Sequence, residues 1–563
     1  MAGNSGDSQA AFHALLARRA HYNEKLMLAF ILSMLAMATA FALMHLIRRR
    51  RLGRPDARPG LLARLSRRVR NVALRGAKGL PSVGHTAVVG LYVAINLLIA
   101  FVRIDGDVLP VVTNVASRAA WLALGNLVVV VVLGLKNTPL AWTTAWSYER
   151  LNVLHQVAGY TTVALVVVHG SCYSAYFVQN GRTERLLHVE DIYGMVAGLS
   201  FLILGFAGAV IRRWCYELFY YVHVVFWVLV LVMIALHQPD LGAKAVVVAV
   251  FVGAIWVLDR LLRLARLALC STNNSVKLTP LPNQTTRVTL AKPPPGVVSG
   301  RHCFLWIPSV RACETHPFTV SSVDPLEFVV ASHNGFTRDL HTYAVSHPGV
   351  PLKASAEGTY GTIPDATRYD TVVLVAGGNG ASFTFGVALD LLSRLRSDDR
   401  RHIVFIWAVK YTSCLDWFRH HLVTLETDGR VSTMLFVTRE SPGPTSSSKL
   451  PYAVTNEGEL DPEKATAPSI QSQDSGVSVK SDKSTPPDME TSPATAQGTP
   501  ITYQRPDASA LVHAAIAHTR ASQRALVLCC GPHGLTTQVR NTTAQCIQPE
   551  GPGVELHCES FGW

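Results

Sequence analysis

Four histidines stand inside strongly apolar stretches, His155 and His169 in one and His223 and His237 in another. The members of each pair are 14 positions apart. That is nearly four turns of an α-helix, so both share one face and sit about 21 Å apart along the axis. One further apolar stretch lies between the two, so helices crossing a membrane there would run parallel. His155 then falls level with His223, and His169 level with His237. Neutral imidazole is a good iron ligand, and two imidazoles at one depth can supply both axial positions of a haem. Two levels would hold two stacked haems. Taken singly, each histidine fits helix packing equally well, and a proton relay is another use of ionisable groups inside a membrane. Two equal spacings in register favour paired ligation.

A second set of residues follows the last apolar stretch. His316-Pro317-Phe318-Thr319 ends a strand-like run, as a simple proline turn also would. Gly335-Phe336-Thr337-Arg338 can offer a helix N-terminus and a cation to a phosphate, or be a glycine turn with a surface arginine. Gly377, Gly378 and Gly380 follow an apolar strand, Thr371 to Ala376, and open a helical pattern running through Leu395. Small residues there let the backbone approach a pyrophosphate, although a tight connection uses them too. Lys410, just past the strand Ile403 to Val409, is placed either to meet a 2′-phosphate or to be solvated. Cys529-Cys530-Gly531-Pro532 ends another core strand, and Phe561-Gly562-Trp563 closes the chain.

In combination these motifs resemble the fungal ferric reductase family, within the superfamily that includes the NADPH oxidases, from about Ser117 to the last residue. The resemblance implies that His316, Pro317, Phe318 and Thr319 lie along the flavin of FAD, with the Thr319 hydroxyl bonded to it. It implies that Gly335, Thr337 and Arg338 hold the flavin pyrophosphate, with Asn334 in place of the family's first glycine. Gly377, Gly378 and Gly380 would form the NADPH loop, and Cys530, Gly531 and Pro532 the nicotinamide side. Cys530 and Trp563 would flank hydride transfer, Trp563 stacking on the flavin until nicotinamide displaces it; a frayed tail is the plainer reading. The implied cofactors are FAD, NADPH and two b-type haems. The implied activity is that of an NADPH-dependent ferric-chelate reductase, passing electrons from cytosolic NADPH to extracellular Fe(III) or Cu(II) chelates and releasing Fe(II), with coupling to an iron permease system. A superoxide-forming NADPH oxidase is the nearest alternative. A transporter using a histidine proton relay is a further one, and it leaves the dehydrogenase motifs unexplained.

The elements that must position these residues follow from composition. The 563 residues are 49% hydrophobic, and unevenly so, which indicates a membrane protein. Seven stretches can cross the roughly 30 Å hydrocarbon core: Leu26 to Ile47, Thr86 to Val102, Ala116 to Leu135, Leu151 to Phe177, Ile192 to Ile211, Leu218 to His237 and Ala245 to Leu264. The net charge of +13 sits beside these spans and is not interleaved with aromatics, so nucleic acid is not an expected partner and membrane lipid is. Between the first two spans, a run of arginines from Arg48 to Arg75 and Lys78 face one acid, Asp56. By the positive-inside rule that loop is cytosolic and the N-terminus external, with the plasma membrane the default. Polar residues near the spans, among them Asn126, Tyr148, Arg150, Asn152 and Gln156, read as helix caps or propionate partners. The ten cysteines form no CxxC pair, and a disulfide framework is not expected.

The expected fold is a multi-span α-helical membrane domain with a bis-haem core, then a ferredoxin-NADP reductase-like module with an antiparallel β-barrel FAD domain and an α/β nucleotide-binding domain. The expected boundaries are 1–25 for an extracellular tail and 26–267 for the membrane domain, with its haem core at about 115–240. The flavin barrel is expected at 272–365 and the nucleotide domain at 366–438 and 501–563. Ser, Pro, Thr and Gly enrichment marks 439–500 as a disordered insert.

Overall fold

The computed structural model describes residues 3–51, 60–104, 109–144, 146, 148–237, 243–441, 495–496 and 498–559. Nearly all of the expected insert, and Trp563 with its neighbours Phe561 and Gly562, lie outside the described residues.

Seven helices are long and apolar enough to cross a membrane. They are α1 (Gly3–Arg51), α3 (Val83–Phe101), α4 (Val111–Gly134), α6 (Tyr148–Gln179), α7 (Val189–Phe206), α9 (Tyr216–Leu236) and α10 (Lys244–Ser271). Between them lie the basic helix α2 (Leu61–Leu74), the short α5 (Pro139–Thr144), and α8 (Arg212–Trp214), which a π-helical turn at Ala207–Ile211 joins to α7. The segment expected as an N-terminal tail instead continues the helix of the first span. Its run from Ala10 to Leu26 contains neither Gly nor Pro and is rich in Ala, Leu and Arg, which favour helix. α1 is fastened to α4 by Asn23, which donates to Ser117 Oγ at 3.0 Å and accepts from Arg118 Nε at 2.6 Å. α3 joins α4 through a buried polar ladder in which Tyr92 bonds Asn126, and Asn126 donates to Asn96 at 2.7 Å. Asn126 therefore serves helix packing, its amide satisfied by Tyr92, Asn96 and the carbonyl of Leu122.

The soluble part begins directly after α10. Strands β1 (Ser275–Leu281), β2 (Thr285–Leu290), β5 (Ser322–Val323), β6 (Leu326–Ala331) and β7 (Leu352–Lys353) form one sheet in the order β5-β6-β2-β1-β7. Strands β3 (His302–Trp306), β4 (His316–Thr319) and β8 (Ser355–Tyr360) form a second, ordered β4-β3-β8. Every pairing in the two is antiparallel. They share one core, from Val276, Leu278 and Val288 to Leu305 and Phe328, which α11 (Phe336–Ser346) closes with Phe336 and Leu340.

The remaining strands are β9 (Thr371–Gly377), β10 (His402–Val409), β11 (Val431–Val437), β12 (Thr495–Ala496), β13 (Thr499–Thr502), β14 (Arg524–Cys530) and β15 (Gly553–Glu559). Their order is β12-β13-β11-β10-β9-β14-β15, parallel throughout except at β12. Helices α12 (Ala381–Arg394), α13 (Arg419–Thr427), α14 (Ala508–Ala517) and α15 (His533–Cys546) accompany them. Alternate residues of one strand enter different cores: Val372 and Leu374 pack in that containing α12, Val373 and Val375 in that containing α14. Burial on both faces is why β9 reads as an unbroken apolar run. β12 and the start of β13 fall within 439–500, so the sheet reaches further back toward the insert than composition suggested.

Candidate functional site

The parallel course of α6 and α9 brings the four histidines together in two pairs. The rings of His155 and His223 are 6.4 Å apart between centroids, and those of His169 and His237 are 6.2 Å apart. Two imidazoles binding one metal from opposite sides need a separation of about 6 Å, two metal–nitrogen bonds of about 2 Å plus the reach of each ring. Both pairs have that spacing.

The second ring nitrogens support the same chemistry. His155 Nδ1 lies 2.9 Å from the carbonyl of Val130, His169 Nδ1 3.0 Å from that of Ala116, and His237 Nδ1 2.8 Å from that of Glu190. A carbonyl can only accept, so Nδ1 carries the proton and Nε2 keeps its lone pair, the arrangement found in metal-ligating histidines. His223 Nδ1 is buried with no hydrogen-bond partner among the described residues. Glycines make room for two of the rings. A Cβ at Gly194 would fall 2.6 Å from the ring of His237, and one at Gly134 would fall 3.1 Å from His155 Nδ1. His237 itself stands just past the last turn of α9, its N–H donating to Met233 at 2.8 Å.

Below the His155 level the bundle meets the antiparallel sheets. Lys136, two residues beyond Gly134, places its Nζ 4.8 Å from the ring centroid of Phe304, and the guanidinium of Arg263 is 4.7 Å from the same ring. Arg263 Nε donates to the buried carboxylate of Glu357 at 3.1 Å, and Tyr360 bonds that carboxylate too. Ser355 Oγ donates to the carbonyl of Leu267 at 2.7 Å, a second tie between α10 and β8. Phe304 pairs across β3 and β4 with Pro317. A continuous run of contacts thus leads from the inner histidines to His316-Pro317-Phe318-Thr319. Sequence reading missed Lys136, Arg263, Phe304 and Glu357, because only the folded chain brings them together.

On β4, His316 stacks on Phe336 at 4.3 Å with 18° between planes, and its Nε2 is 3.0 Å from Glu314. His316, Pro317 and Phe318 are half-buried, leaving an accessible apolar edge of the kind a planar ring can use, while Thr319 is buried. Gly335 has φ 74°, open to glycine at little cost, and caps α11. Thr337 Oγ1 accepts from the N–H of His333 at 2.8 Å, and Arg338 is exposed. Sequence reading did not foresee that Glu217, from α9, lies against this helix end: a Cβ at Gly335 would be 2.4 Å from its carboxylate. Arg311 faces Glu217, Glu314 and Asp339 at 3.6, 3.1 and 2.7 Å. A pyrophosphate at the N-terminus of α11 would therefore require Glu217 to move aside.

The two glycine motifs of the parallel sheet meet at the carboxyl ends of β9 and β14, where ligands of such sheets bind. A Cβ at Gly380 would be 2.3 Å from the carbonyl oxygen of Cys530, one at Gly377 2.7 Å from Pro532 Cδ, and one at Gly531 2.9 Å from Gly377 N. No larger residue fits in these three places. Gly378 has φ 55°, and Trp407 Nε1 donates to its carbonyl at 3.0 Å. Asn379 donates to the carbonyl of Val329 in β6 at 3.1 Å and fixes the loop against the antiparallel sheet. Lys410 is exposed at the carboxyl end of β10, and the N–H of Arg439 donates to its carbonyl at 3.0 Å. That brings a second exposed cation, which sequence reading missed, beside it. Cys530 is fully buried, and burial holds its thiol well above the usual range.

Fold and site together define a multi-pass membrane protein with a flavin-binding barrel and a nicotinamide-nucleotide sheet attached. Residues 119–234 match the ferric reductase-like transmembrane component, 271–380 an FAD-binding domain and 369–544 the ferric reductase NAD-binding domain. The chain is similar to a probable ferric reductase transmembrane component of Candida albicans, 27% identical over 58% of this chain and 49% of that one. It is also similar to ferric/cupric reductase transmembrane component 2 of Saccharomyces cerevisiae, 25% identical over 77% of this chain and 59% of that one. A flavohemoglobin structure from Malassezia yamatoensis aligns over 79% of this chain and 96% of its own, with 13% identity and a TM-score of 0.37. The chain spans about half the length of the first two curated relatives it matches. Over residues 119–234 and 271–544 it is thus similar to the fungal ferric reductases.

Proposed function

We propose that this protein carries electrons from NADPH on the nucleotide-module side of a plasma membrane to Fe(III), or Cu(II), chelates on the opposite side, freeing Fe(II) for an iron permease system. The observation that carries the proposal is the pair of facing histidine couples, at separations of 6.4 and 6.2 Å, on two parallel spans. His155 with His223, and His169 with His237, would each hold a haem iron. When bound, FAD supplies the conversion between a hydride donor and one-electron acceptors, and haem supplies the one-electron relay.

The chain's own residues position these groups. Carbonyls of Val130, Ala116 and Glu190 hold the Nδ1 protons of His155, His169 and His237, so that Nε2 would be the atom free to bind iron. Gly377, Gly380 and Gly531 bring backbone within reach of a nucleotide pyrophosphate, and Lys410 meets the phosphate that distinguishes NADPH from NADH. Cys530, kept protonated by burial, sets a neutral surface beside the nicotinamide without competing as a base. Arg263, Glu357 and Phe304 hold the flavin strand β4 against the inner end of the bundle.

The test is reduction of an impermeant Fe(III) chelate by intact cells expressing the protein, with and without superoxide dismutase, beside an absorption spectrum of the purified protein. Haem and flavin bands with dismutase-insensitive chelate reduction are expected. Dismutase-sensitive reduction would point to oxygen as the acceptor, and the absence of both bands would end the oxidoreductase reading.

A further inference from the structure

Helix α2 lies in the connection between the first two spans, ahead of the residues matched by the ferric reductase transmembrane component. It holds two unlike surfaces. One docks on the nucleotide domain: Arg67 donates to the carbonyls of Pro549 and Gly551 at 3.1 and 2.7 Å, Arg70 to that of Val554 at 3.0 Å, and Asn71 to that of Ile547 at 3.2 Å. The other faces outward. Leu61, Leu65, Val69 and Val72 are exposed by 81, 56, 59 and 52%. At about 100° per residue they fall within one arc of about 80°, an unbroken apolar stripe. Arg64 and Arg68, both exposed, run along one edge of it, with Arg64 3.8 Å from the exposed Glu550. The helix contains no acidic residue.

The position of α2 determines what can cover that stripe. Its last turn touches the first turn of the span α3: the N–H of Val83 donates to the carbonyl of Arg75 at 2.9 Å, and a Cβ at Gly84 would be 3.0 Å from the carbonyl oxygen of Ala73. The helix therefore sits where a membrane-crossing helix leaves the bilayer. A basic helix with an exposed apolar stripe at that depth has the composition of one lying in the interface, apolar side chains among the acyl chains and arginines on lipid phosphates.

We propose that α2 is an in-plane membrane anchor, seated on the anionic leaflet on the nucleotide-module side, and that it holds the outer edge of the nucleotide domain, β15 and α15, against that surface. The partner is the membrane itself, recognised by apolar depth and negative headgroup charge. The proposal depends on the seven spans and not on haem or on the electron acceptor. Each arginine at such a surface strengthens association about fivefold, so exchanging Arg68 alone should weaken it measurably without detaching a protein anchored by seven spans.

The experiment uses the full-length protein in nanodiscs, with the photocrosslinker p-benzoylphenylalanine replacing Leu65 and, as a comparison, replacing the exposed Val423 on the nucleotide domain. On irradiation in phosphatidylcholine with phosphatidylserine, position 65 should yield phospholipid adducts by mass spectrometry at several times the level at position 423. Adding Arg68→Gln, or omitting phosphatidylserine, should lower the yield at position 65 severalfold. Equal lipid labelling at the two positions would overturn the proposal, as would adducts at position 65 formed chiefly with another polypeptide. A yield indifferent to phosphatidylserine and to Arg68 would overturn its electrostatic part. Haem and flavin absorbance, compared with the unsubstituted protein, reports whether each variant is folded.

Discussion

The inner and outer histidine pairs have nearly the same ring separation but very different surroundings. His155 and His223 lie at the barrel end of the bundle: Phe219 is 5.2 Å from His223, and Lys136 and Arg263 meet Phe304 of the barrel nearby. His169 and His237 lie nearly four helical turns further along the same two spans, at the end away from the barrel. His237 stands just past the end of its helix, and Tyr173 lies 5.3 Å from His169. A level next to the barrel suits transfer between bound groups at fixed distance, and one at the far end suits delivery to a soluble acceptor. On the proposed function, one kind of histidine pair would serve two tasks, and the difference would lie in what packs around it.

Among substitutions that leave the four histidines in place, breaking the barrel side should have the largest effect. Glu357→Ala leaves Arg263 buried without its carboxylate, and losing one partner of such a pair costs about 3–5 kcal/mol. Its expected signature in stopped-flow spectroscopy is flavin reduction by NADPH at the normal rate with haem reduction slowed at least tenfold. Equal slowing of both would place Glu357 in the general stability of the barrel.

The glycines sharpen the comparison between levels. Gly194→Ala forces a methyl to within 2.6 Å of the His237 ring, whereas Gly134→Ala meets His155 at 3.1 Å, which a small shift relieves. Overpacking of this kind costs about 1–3 kcal/mol. Gly194→Ala should therefore disturb the outer haem's spectrum strongly and Gly134→Ala the inner one weakly. The reverse ranking would mean that the two levels are not packed as described.

On the nucleotide side, Lys410→Glu should raise KM for NADPH on the order of tenfold and leave KM for NADH nearly unchanged, since only the extra phosphate meets the new charge. Parallel changes would remove Lys410 from the site. The smallest effect is expected at Glu217. Glu217→Gln removes one carboxylate from the N-terminus of α11 and should tighten FAD binding about fivefold, read by titrating FAD into the flavin-depleted protein. Weaker binding would show that Glu217 supports the flavin site.

What could be read from sequence was what repeats or contrasts locally. The 14-residue spacing of the histidines needs only helix geometry, and the glycines after β9 need only an apolar strand before them. The positive-inside argument and the docking of Arg67 and Arg70 on Pro549, Gly551 and Val554 put the basic segment on the side of the nucleotide domain. The remainder depends on contacts between distant segments. Glu357 meets Arg263 across 94 positions, and Asn379 reaches Val329 across 50, and neither partner carries a local mark of the other. Asn126 looked available to a haem because its neighbours Tyr92 and Asn96 lie on a different helix, about thirty positions away. The N-terminal residues looked like a tail because polarity suggests solvent, yet polar helix formers extend a helix as readily as apolar ones.

The central claim is that two haem levels act in series, and replacing one ligand at each level tests it most directly. His223→Ala and His237→Ala, each shown to retain FAD, would be followed by stopped-flow spectroscopy beside reduction of an impermeant Fe(III) chelate. The account predicts that His223→Ala reduces flavin but no haem. It predicts that His237→Ala still reduces the inner haem yet loses chelate reduction at least a hundredfold. Rapid chelate reduction by His237→Ala would contradict a serial two-haem route.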